Sequence, residues 1–237
     1  MWTERTEMIL GKDGLERLSS SRIAVVGLGG VGAYAAEMLV RAGLGHIVLI
    51  DNDCVGLSNI NRQLPALHST VGRKKADVLK ERFLDINPDI DIQVCYDYVN
   101  EDYLREDNPL SGSDVVIDAI DTLSPKVALI QYCLEKGIHL VSSMGSGAKL
   151  DATSVRIADI SQTFQCPLAH MLRKRLHKLG ITEGFDAVFS IEIPRRESMQ
   201  IEESRNKKSQ VGTISYLPAV FGCVCAQAAL KYVTGIC

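Results

Sequence analysis

A glycine-rich turn between an apolar strand and a helix constrains the fold of this chain most. Residues 22–32 read RIAVVGLGGVG, so the strand runs directly into Gly27, Gly29, Gly30 and Gly32. Gly27 and Gly29 let the backbone turn sharply and approach a phosphate, and Gly32 lets the next helix pack against the strand. The helix N-terminus favours negative charge at the same place. The pattern predicts a right-handed strand–helix–strand unit that binds a nucleotide.

The second strand of this unit ends in an acid and leads into a long polar loop. HIVLID places Asp51 nineteen residues after Gly32, where an acid accepts hydrogen bonds from ribose hydroxyls. Up to this point an NAD site fits as well as an ATP site. A dehydrogenase usually continues into a plain helix, whereas this loop carries many polar side chains: Asp53, Ser58, Asn59, Asn61, Arg62 and Gln63.

Two cations follow in this ordered polar run and favour a nucleotide whose phosphates react. Arg62 lies in the loop and Lys75 begins the next helix. Near a triphosphate, both could stabilise charge that builds on the α-phosphate and on the leaving pyrophosphate. In the alternative, Arg62 pairs with Asp51 or Asp53, and Lys75 is solvated.

A third acid follows the apolar strand DVVIDA at 114–119. The carboxyl ends of strands are where open parallel sheets bind ligands, so Asp121 is a candidate Mg²⁺ ligand and catalytic residue. Alternatively, Asp121 caps the helix that begins near Ser124 and Pro125, although Ser124 suits that role better.

These motifs together resemble the adenylation core of the ubiquitin-activating-enzyme superfamily. They are GLGGVG, D-x-D-x-V-x-x-S-N-x-N-R-Q, V-G-x-x-K and D-A-I-D, within about residues 20–125. The resemblance implies ATP-dependent activation of a carboxylate as an acyl-adenylate. It implies that Asp121 holds Mg²⁺ and that Arg5 reaches the phosphates of the neighbouring subunit in a homodimer. It implies that ATP is bound by Gly30, Asp51, Ser58, Asn59, Arg62 and Lys75.

The second half of the chain is similar to one bacterial branch of that superfamily, the tRNA threonylcarbamoyladenosine dehydratases. The carrying segments are Q-T-x-x-x-P-L-A with L-R-K-R-L, and YCxxxGIxLVSSMGSGAKLDATSVRIADI. This resemblance implies a tRNA substrate whose threonyl carboxylate is adenylated and then cyclised to an oxazolone. It also implies a possible sulfur-transfer partner such as a cysteine desulfurase. An adenylyltransferase for a ubiquitin-like sulfur carrier is the alternative, and an NAD-linked oxidoreductase is a third.

A basic run in the helix that Pro167 opens and Gly180 ends is the candidate tRNA contact. A run of this kind is most often a solvated face, but the resemblance favours tRNA. Lys174 and Lys178 share one face of such a helix, so only part of the run can contact one RNA backbone. The candidate residues are Arg173, Lys174, Arg175 and Lys178.

The seven cysteines are dispersed and include no C-x-x-C pair, which argues against a structural zinc site and for a reducing cytoplasm. Cys166, just before the basic helix, is the only plausible nucleophile, although a bystander role is favoured. The net charge of −3 gives no global basic field. The N-terminus is too polar for a signal peptide, and the apolar stretch 216–230 suits a buried helix better than a membrane span.

The regular alternation of apolar strands and helices predicts one α/β domain with a doubly wound, mostly parallel, Rossmann-like sheet over all 237 residues. We expect an N-terminal arm or helix at 1–21, a nucleotide-binding core at 22–150 and a substrate-side part at 151–237. Two further segments are expected in that last part: a polar loop at 192–210 and a strand at TISY, 213–216.

Overall fold

The computed structural model describes residues 1–105, 108–200 and 210–236. Strands and helices alternate along most of that length. The strands are β1 (Arg22–Val26), β2 (His46–Ile50), β3 (Asp91–Cys95), β4 (Val115–Asp118), β5 (His139–Ser143), β6 (Val155–Asp159), β7 (Asp186–Ser190), β8 (Met199–Gln200) and β9 (Gln210–Val211). The helices are α1 (Glu4–Ser20), α2 (Gly32–Ala42), α3 (Lys75–Ile86), α4 (Glu101–Arg105), α5 (Leu123–Lys136), α6 (Pro167–His177) and α7 (Tyr216–Thr234).

A seven-stranded sheet in the order β3-β2-β1-β4-β5-β7-β6 forms the centre of the molecule. Every neighbouring pair is parallel except β6 and β7, which are antiparallel and close one edge. The chain order reverses between β1 and β4, because β2 and β3 lie on one side of β1 and the later strands lie on the other. Ligands in open α/β sheets bind in the crevice at such a reversal.

Helices cover both faces of the sheet, so the sheet is doubly wound. On one face α2, α3 and α7 bury residues such as Leu39, Phe83 and Phe221 against Val25 and Ile117. On the other face α5 and α6 bury their apolar sides against the alternate residues of the same strands. The near-continuous apolar runs of β1, β2 and β4 follow from this double coverage. The predicted α/β, mostly parallel, single-domain fold is confirmed.

Most predicted elements are present, and two parts of the last third differ from expectation. β7 was not predicted, because its short run DAVFS carries no period that separates a buried strand from a helix segment. The predicted strand at 213–216 is wrong. The Thr213 carbonyl accepts a hydrogen bond from the Asn61 side chain instead of a neighbouring strand, and Tyr216 already begins α7.

The predicted polar loop at 192–210 is partly structured: a short 3-10 turn covers Arg196–Ser198, and β8 pairs with β9. Residues 201–209 of that prediction lie outside the described residues. Among the described helices, α7 is long and apolar enough to cross a membrane by length and composition alone, and half of its apolar window is buried inside the protein. That burial agrees with the prediction of a core helix.

Candidate nucleotide-binding site

The glycine turn after β1 is shaped by two close backbone approaches. Gly27 has φ +88°, and a Cβ there would lie 2.9 Å from the Ala119 carbonyl oxygen in the turn after β4. A Cβ on Gly32 would lie 1.8 Å from the Gly27 carbonyl oxygen, so Gly32 has the helix-packing role that its spacing predicts. Gly30 lies against Pro218, because a Cβ on Gly30 would lie 2.9 Å from the Pro218 Cβ. Around Gly29 the nearest atom is 3.7 Å away, which leaves that backbone open to a ligand.

Asp51 fixes this turn from the end of β2. Its carboxylate accepts the Leu28 amide at 2.6 Å and the Asp53 amide at 2.8 Å. Burial raises the pKa of Asp51 above its usual value, although the nearby Lys75 ammonium opposes that rise. A carboxylate kept in an unfavourable buried position is typical of functional sites. Each oxygen retains a lone pair for the ribose hydroxyls that the sequence predicts.

The two candidate cations are held differently. Lys75 is 4% exposed, and its ammonium lies 2.7 Å from Asp53 Oδ2 and 3.8 Å from Asp51 Oδ2. The alternative of a solvated Lys75 is therefore wrong. Arg62 donates to the Ser58 carbonyl at 2.9 Å and to Asn61 Oδ1 at 2.7 Å, and no ion pair with Asp51 or Asp53 is found among the described residues.

The polar loop folds over the glycine turn. Leu57–Asn59 form a 3-10 turn, in which Asn59 Oδ1 accepts the Gly56 amide at 3.0 Å and Ser58 is exposed. Gln63 reaches Gly29, and its buried Oε1 meets no hydrogen-bond partner among the described residues. Because a buried polar atom without a partner is costly, this orphan oxygen next to an open glycine backbone fits a site that receives a ligand. Gln63 was noticed in the sequence, but no role was assigned to it.

Asp121 lies in the turn that joins β4 to α5, directly beside the glycine turn. Ala119 in the same turn packs on Gly27, and its amide donates to the Val26 carbonyl at 2.9 Å. The Asp121 side chain is exposed. Thr122 occupies the N-cap position of α5, which begins at Leu123. Lys75 and Asp51 are thus in contact, and Asp51 and Asp121 both follow strands on the side of the sheet where β1, β2 and β4 have their carboxyl ends.

A buried ion pair under the Asp121 turn was missed from the sequence. Asp118 Oδ2 accepts from Lys126 Nζ at 2.6 Å and from Ser142 Oγ at 2.7 Å, and both charged side chains are fully buried. Asp118 Oδ1 accepts the Ile120 amide at 3.0 Å and so fixes the turn one residue before Asp121. The available signal was Lys126 in the first turn of α5, directly before the apolar run VALI and eight residues after an acid that ends a strand.

The basic residues of α6 separate into two groups. The Arg173 guanidinium donates to Thr163 Oγ1, and Arg175 Nη1 donates to Ser124 Oγ at 2.8 Å, at the first turn of α5. Lys174 and Lys178 are exposed, and the structure shows no ion pair for them within its described part. The predicted cation set is thus divided into two anchoring arginines and two lysines directed to solvent.

Two predictions concern metal ions: that the protein has no structural zinc, and that Asp121 holds Mg²⁺. Within residues 1–105, 108–200 and 210–236, no group of three or more His, Cys, Asp or Glu side chains could hold a metal ion. Mg²⁺ needs fewer protein ligands, because it keeps waters and binds substrate phosphates alongside one or two carboxylates. Asp121 therefore fits such an ion only together with a nucleotide.

Cys166 is buried at the N-cap of α6, 3.8 Å from the hypothetical Cβ of Gly145.

Comparison with known proteins agrees with this arrangement. The family model described as ThiF family matches residues 3–237. The chain belongs to the ThiF family. It is 41% identical over 228 residues to the tRNA threonylcarbamoyladenosine dehydratase of Bacillus subtilis, covering 93% of this chain and 89% of that protein.

A solved structure is similar over almost the whole chain. The Escherichia coli tRNA N6-threonylcarbamoyladenosine dehydratase TcdA, in complex with ATP, is 37% identical with a TM-score of 0.89, covering 98% of this ThiF-family chain and 93% of that one. The Escherichia coli sulfur carrier protein ThiS adenylyltransferase is 32% identical over 140 residues and covers only 58% of this chain. The similarity to the dehydratases therefore includes the last third, where α6 lies.

Proposed function

We propose that this protein is an ATP-dependent tRNA threonylcarbamoyladenosine dehydratase, which activates the threonyl carboxylate of the modified adenosine and closes it to the cyclic oxazolone. The observation that carries this proposal is the convergence of the glycine turn, Lys75 and Asp121 at the reversal of strand order, beside a helix that presents lysines to solvent. A dehydratase similar over nearly the whole chain is solved with ATP, which supports ATP as the co-substrate.

In the first step the threonyl carboxylate attacks the α-phosphate of ATP, and the bond to the leaving pyrophosphate breaks. Arg62 and Lys75 carry the positive charge that offsets the charge gathering on these phosphates. For Lys75 this requires that its ammonium share its contact with Asp53, whose side chain is 64% exposed. The open backbone at Gly29 and the first turn of α2 hold further phosphate oxygens.

In the second step the ureido oxygen attacks the activated acyl carbon, AMP leaves, and the ureido nitrogen loses a proton. The balance is loss of one water from the modified base, coupled to conversion of ATP to AMP and pyrophosphate. Both groups belong to one substrate side chain, so ring closure is intramolecular and needs no cysteine nucleophile. Asp121 would hold Mg²⁺, which supplies charge neutralisation to the phosphates when it is bound.

Lys174 near the end of α6 and Lys178, the C-cap residue that follows it, would contact tRNA phosphates, because they lie four residues apart on one side and are exposed. Arg173 and Arg175, assigned to tRNA from the sequence, are engaged with Thr163 and Ser124 and would position the helix. The next candidates in the 192–210 segment are Arg195, which is exposed, and Arg196, which begins a 3-10 turn. Two more candidates, Lys207 and Lys208, lie outside the described residues.

Several features of the proposal rest on family resemblance. We propose a cytoplasmic homodimer without membrane attachment, in which Arg5, exposed near the start of α1, completes the site of the neighbouring subunit. A sulfur-transfer partner such as a cysteine desulfurase is proposed on the same basis. The sulfur-carrier adenylyltransferase remains the alternative, and it would require a small protein ending in Gly-Gly as substrate.

The test is turnover of ATP with tRNA that carries threonylcarbamoyladenosine, followed by mass spectrometry of the modified nucleoside. The expected product is lighter by one water and appears with AMP and pyrophosphate. The Asp121→Asn protein should bind ATP but form no product, because metal placement needs the full carboxylate charge. ATP consumption that responds to a sulfur-carrier protein and ignores tRNA would favour the alternative.

The tRNA face is tested separately with the double variant Lys174→Ala/Lys178→Ala. It should weaken tRNA binding and reduce the slope of log affinity against log salt by about two charge units, with ATP affinity unchanged. Lys80→Ala is the control, since Lys80 is an exposed lysine on α3. An unchanged slope in the double variant would identify that face of α6 as ordinary solvated surface.

A further inference from the structure

Phe164 is an exposed aromatic side chain held on a rigid frame just before α6. It is 50% exposed, and its ring meets the buried Phe189 ring in an edge-to-face contact with centroids 5.6 Å apart. Single apolar side chains on a protein surface are common and need no explanation. Phe164 differs from such a residue in how firmly its backbone is held and in what lies around it.

The backbone on both sides of Phe164 is fixed. Thr163 is buried, and its Oγ1 donates to the Ile160 carbonyl at 2.7 Å while it accepts from the Arg173 guanidinium. Gln165 has φ +55°, a left-handed conformation that a residue with a side chain rarely adopts. Such strain persists where the surrounding structure imposes it, and it clusters at sites that hold ligands. The aromatic ring is therefore directed outward by its neighbours.

Phe164 also lies near the carboxyl ends of the parallel strands, where the proposed nucleotide site lies. Phe189 is the fourth of the five residues of β7, close to the carboxyl end of that strand. Two residues after Phe164, Cys166 contacts the position of Gly145, in the loop that follows β5. β7 lies two strands from β4, so the axes of these two strands, which lead to Phe189 and to the Asp121 turn, are about 10 Å apart across the sheet.

We propose that Phe164 stacks on the adenine base of the threonylcarbamoyladenosine itself, an inference that rests on the proposed function. Single-stranded RNA bases are held by stacking on aromatic side chains next to cations that contact the backbone. Lys174 and Lys178 on α6 provide the cations. The threonylcarbamoyl arm is about as long as two extended residues, roughly 7 Å, so a base at Phe164 brings its carboxylate towards Asp121.

The experiment measures binding of an anticodon stem-loop RNA that carries threonylcarbamoyladenosine to the Phe164→Leu protein. The affinity should fall about tenfold, within the range for loss of one base–aromatic stack. The salt slope should stay at the wild-type value, because stacking neutralises no phosphate. ATP affinity should also stay unchanged, and Phe164→Trp should bind as tightly as the wild type or more tightly.

The matched control is Tyr232→Leu, which removes an aromatic ring of similar exposure, 53%, from α7. Tyr232 stacks on His139 at the start of β5. This position is at the amino ends of the parallel strands, opposite the proposed site, so loss of the Tyr232 ring should leave RNA binding unchanged. Wild-type affinity and turnover in Phe164→Leu would overturn the proposal. An equal loss of affinity for a stem-loop with an abasic site in place of the modified adenosine would also overturn it, by showing a contact with another base.

Failure of the proposed function gives a different result. If wild-type protein does not consume ATP with modified tRNA, the dehydratase assignment fails whatever Phe164 does. If wild-type protein does so and Phe164→Leu is indistinguishable from it, only the stacking role fails.

Discussion

Replacing Lys126 with methionine should destabilise the protein strongly, because it leaves the Asp118 carboxylate buried without its counter-ion. Both side chains of this pair are fully buried, with 2.6 Å between Lys126 Nζ and Asp118 Oδ2. Breaking a buried pair by removing one partner costs about 3–5 kcal/mol. The total free energy of unfolding of a domain is about 5–15 kcal/mol, so the variant should retain only part of its stability.

The double variant Asp118→Asn/Lys126→Met separates the cost of an unpaired charge from the cost of lost packing. The asparagine side chain that replaces Asp118 can still accept the Ile120 amide, and its own amide group can donate to Ser142 Oγ. Removal of both charges should therefore recover most of the stability that Lys126→Met loses. Since the Ile120 contact also holds the turn that carries Asp121, the double variant should keep more turnover than Lys126→Met.

The assay is urea unfolding followed by circular dichroism, with Arg73→Met as the control. Arg73 pairs with Glu81 on the surface, where both side chains are largely exposed, so its loss should leave the midpoint nearly unchanged. If Lys126→Met unfolds at the wild-type midpoint, the pair is not a stabilising contact. A double variant no more stable than Lys126→Met would show that packing, and not the unpaired carboxylate, determines the loss.

Three further predictions concern the phosphate site, the dimer and a buried carboxylate. Lys75→Ala and Arg62→Ala should each cost about 2–4 kcal/mol of transition-state stabilisation, measured as kcat/KM for ATP, and equal rates in wild type and variant would remove them from the phosphate site. Arg5→Ala should stay dimeric but inactive. Mixing it with inactive Asp121→Asn should restore part of the turnover, because one site in each mixed dimer would then have both Asp121 and the neighbour's Arg5. No recovery of turnover in mixed dimers would place Arg5 outside the neighbour's site. Burial alone would raise the pKa of Glu37, but hydrogen bonds from Arg82 and Arg41 hold it below its usual value of 4.5. Because the pKa of Glu37 is lowered by folding, its carboxylate stabilises the folded state at pH values above its usual pKa, and this contribution is lost as pH falls through the lowered pKa. Glu37→Gln should therefore lower the free energy of unfolding by about 1 kcal/mol at neutral pH, a figure that allows for the solvent exposure of the two arginines. The difference from wild type should disappear in unfolding curves measured at acid pH.

The sequence predicted the part of the fold that local chemistry determines. Strand β1 and its glycine turn were predicted because Gly27 and Gly32 occupy positions where a Cβ has no room, at 2.9 Å and 1.8 Å from backbone oxygens. The candidate nucleotide-site residues Asp51 and Lys75 follow at short, ordered spacings from that turn. The convergence of such residues depends on strand order, and the βαβ pattern already constrains that order.

The parts that sequence missed depend on contacts between distant segments. β7 is a strand because it fills the place between β5 and β6, which no local pattern in DAVFS reveals. Lys126 lies in a helix that looks ordinary, and its meaning appears only when β4 and β5 bring Asp118 and Ser142 to its ammonium. The strand predicted at 213–216 failed for the same reason, since its Thr213 carbonyl is taken by Asn61 from a segment far away in sequence.

The order of the strands places the two proposed substrate sites on opposite sides of the β1–β4 pair, both where the parallel strands have their carboxyl ends. Asp51, the acid proposed to bind ribose, follows β2, on one side of the central pair β1 and β4, whereas Phe164 packs on β7, on the other side. Asp121 follows β4, between these two sides. On the proposed function, the nucleotide enters from the β2 side and the modified base from the β7 side, so that carboxylate and α-phosphate meet near Asp121. The Arg175 contact with Ser124 then links α6, the helix proposed to contact tRNA, directly to α5, which begins beside Asp121.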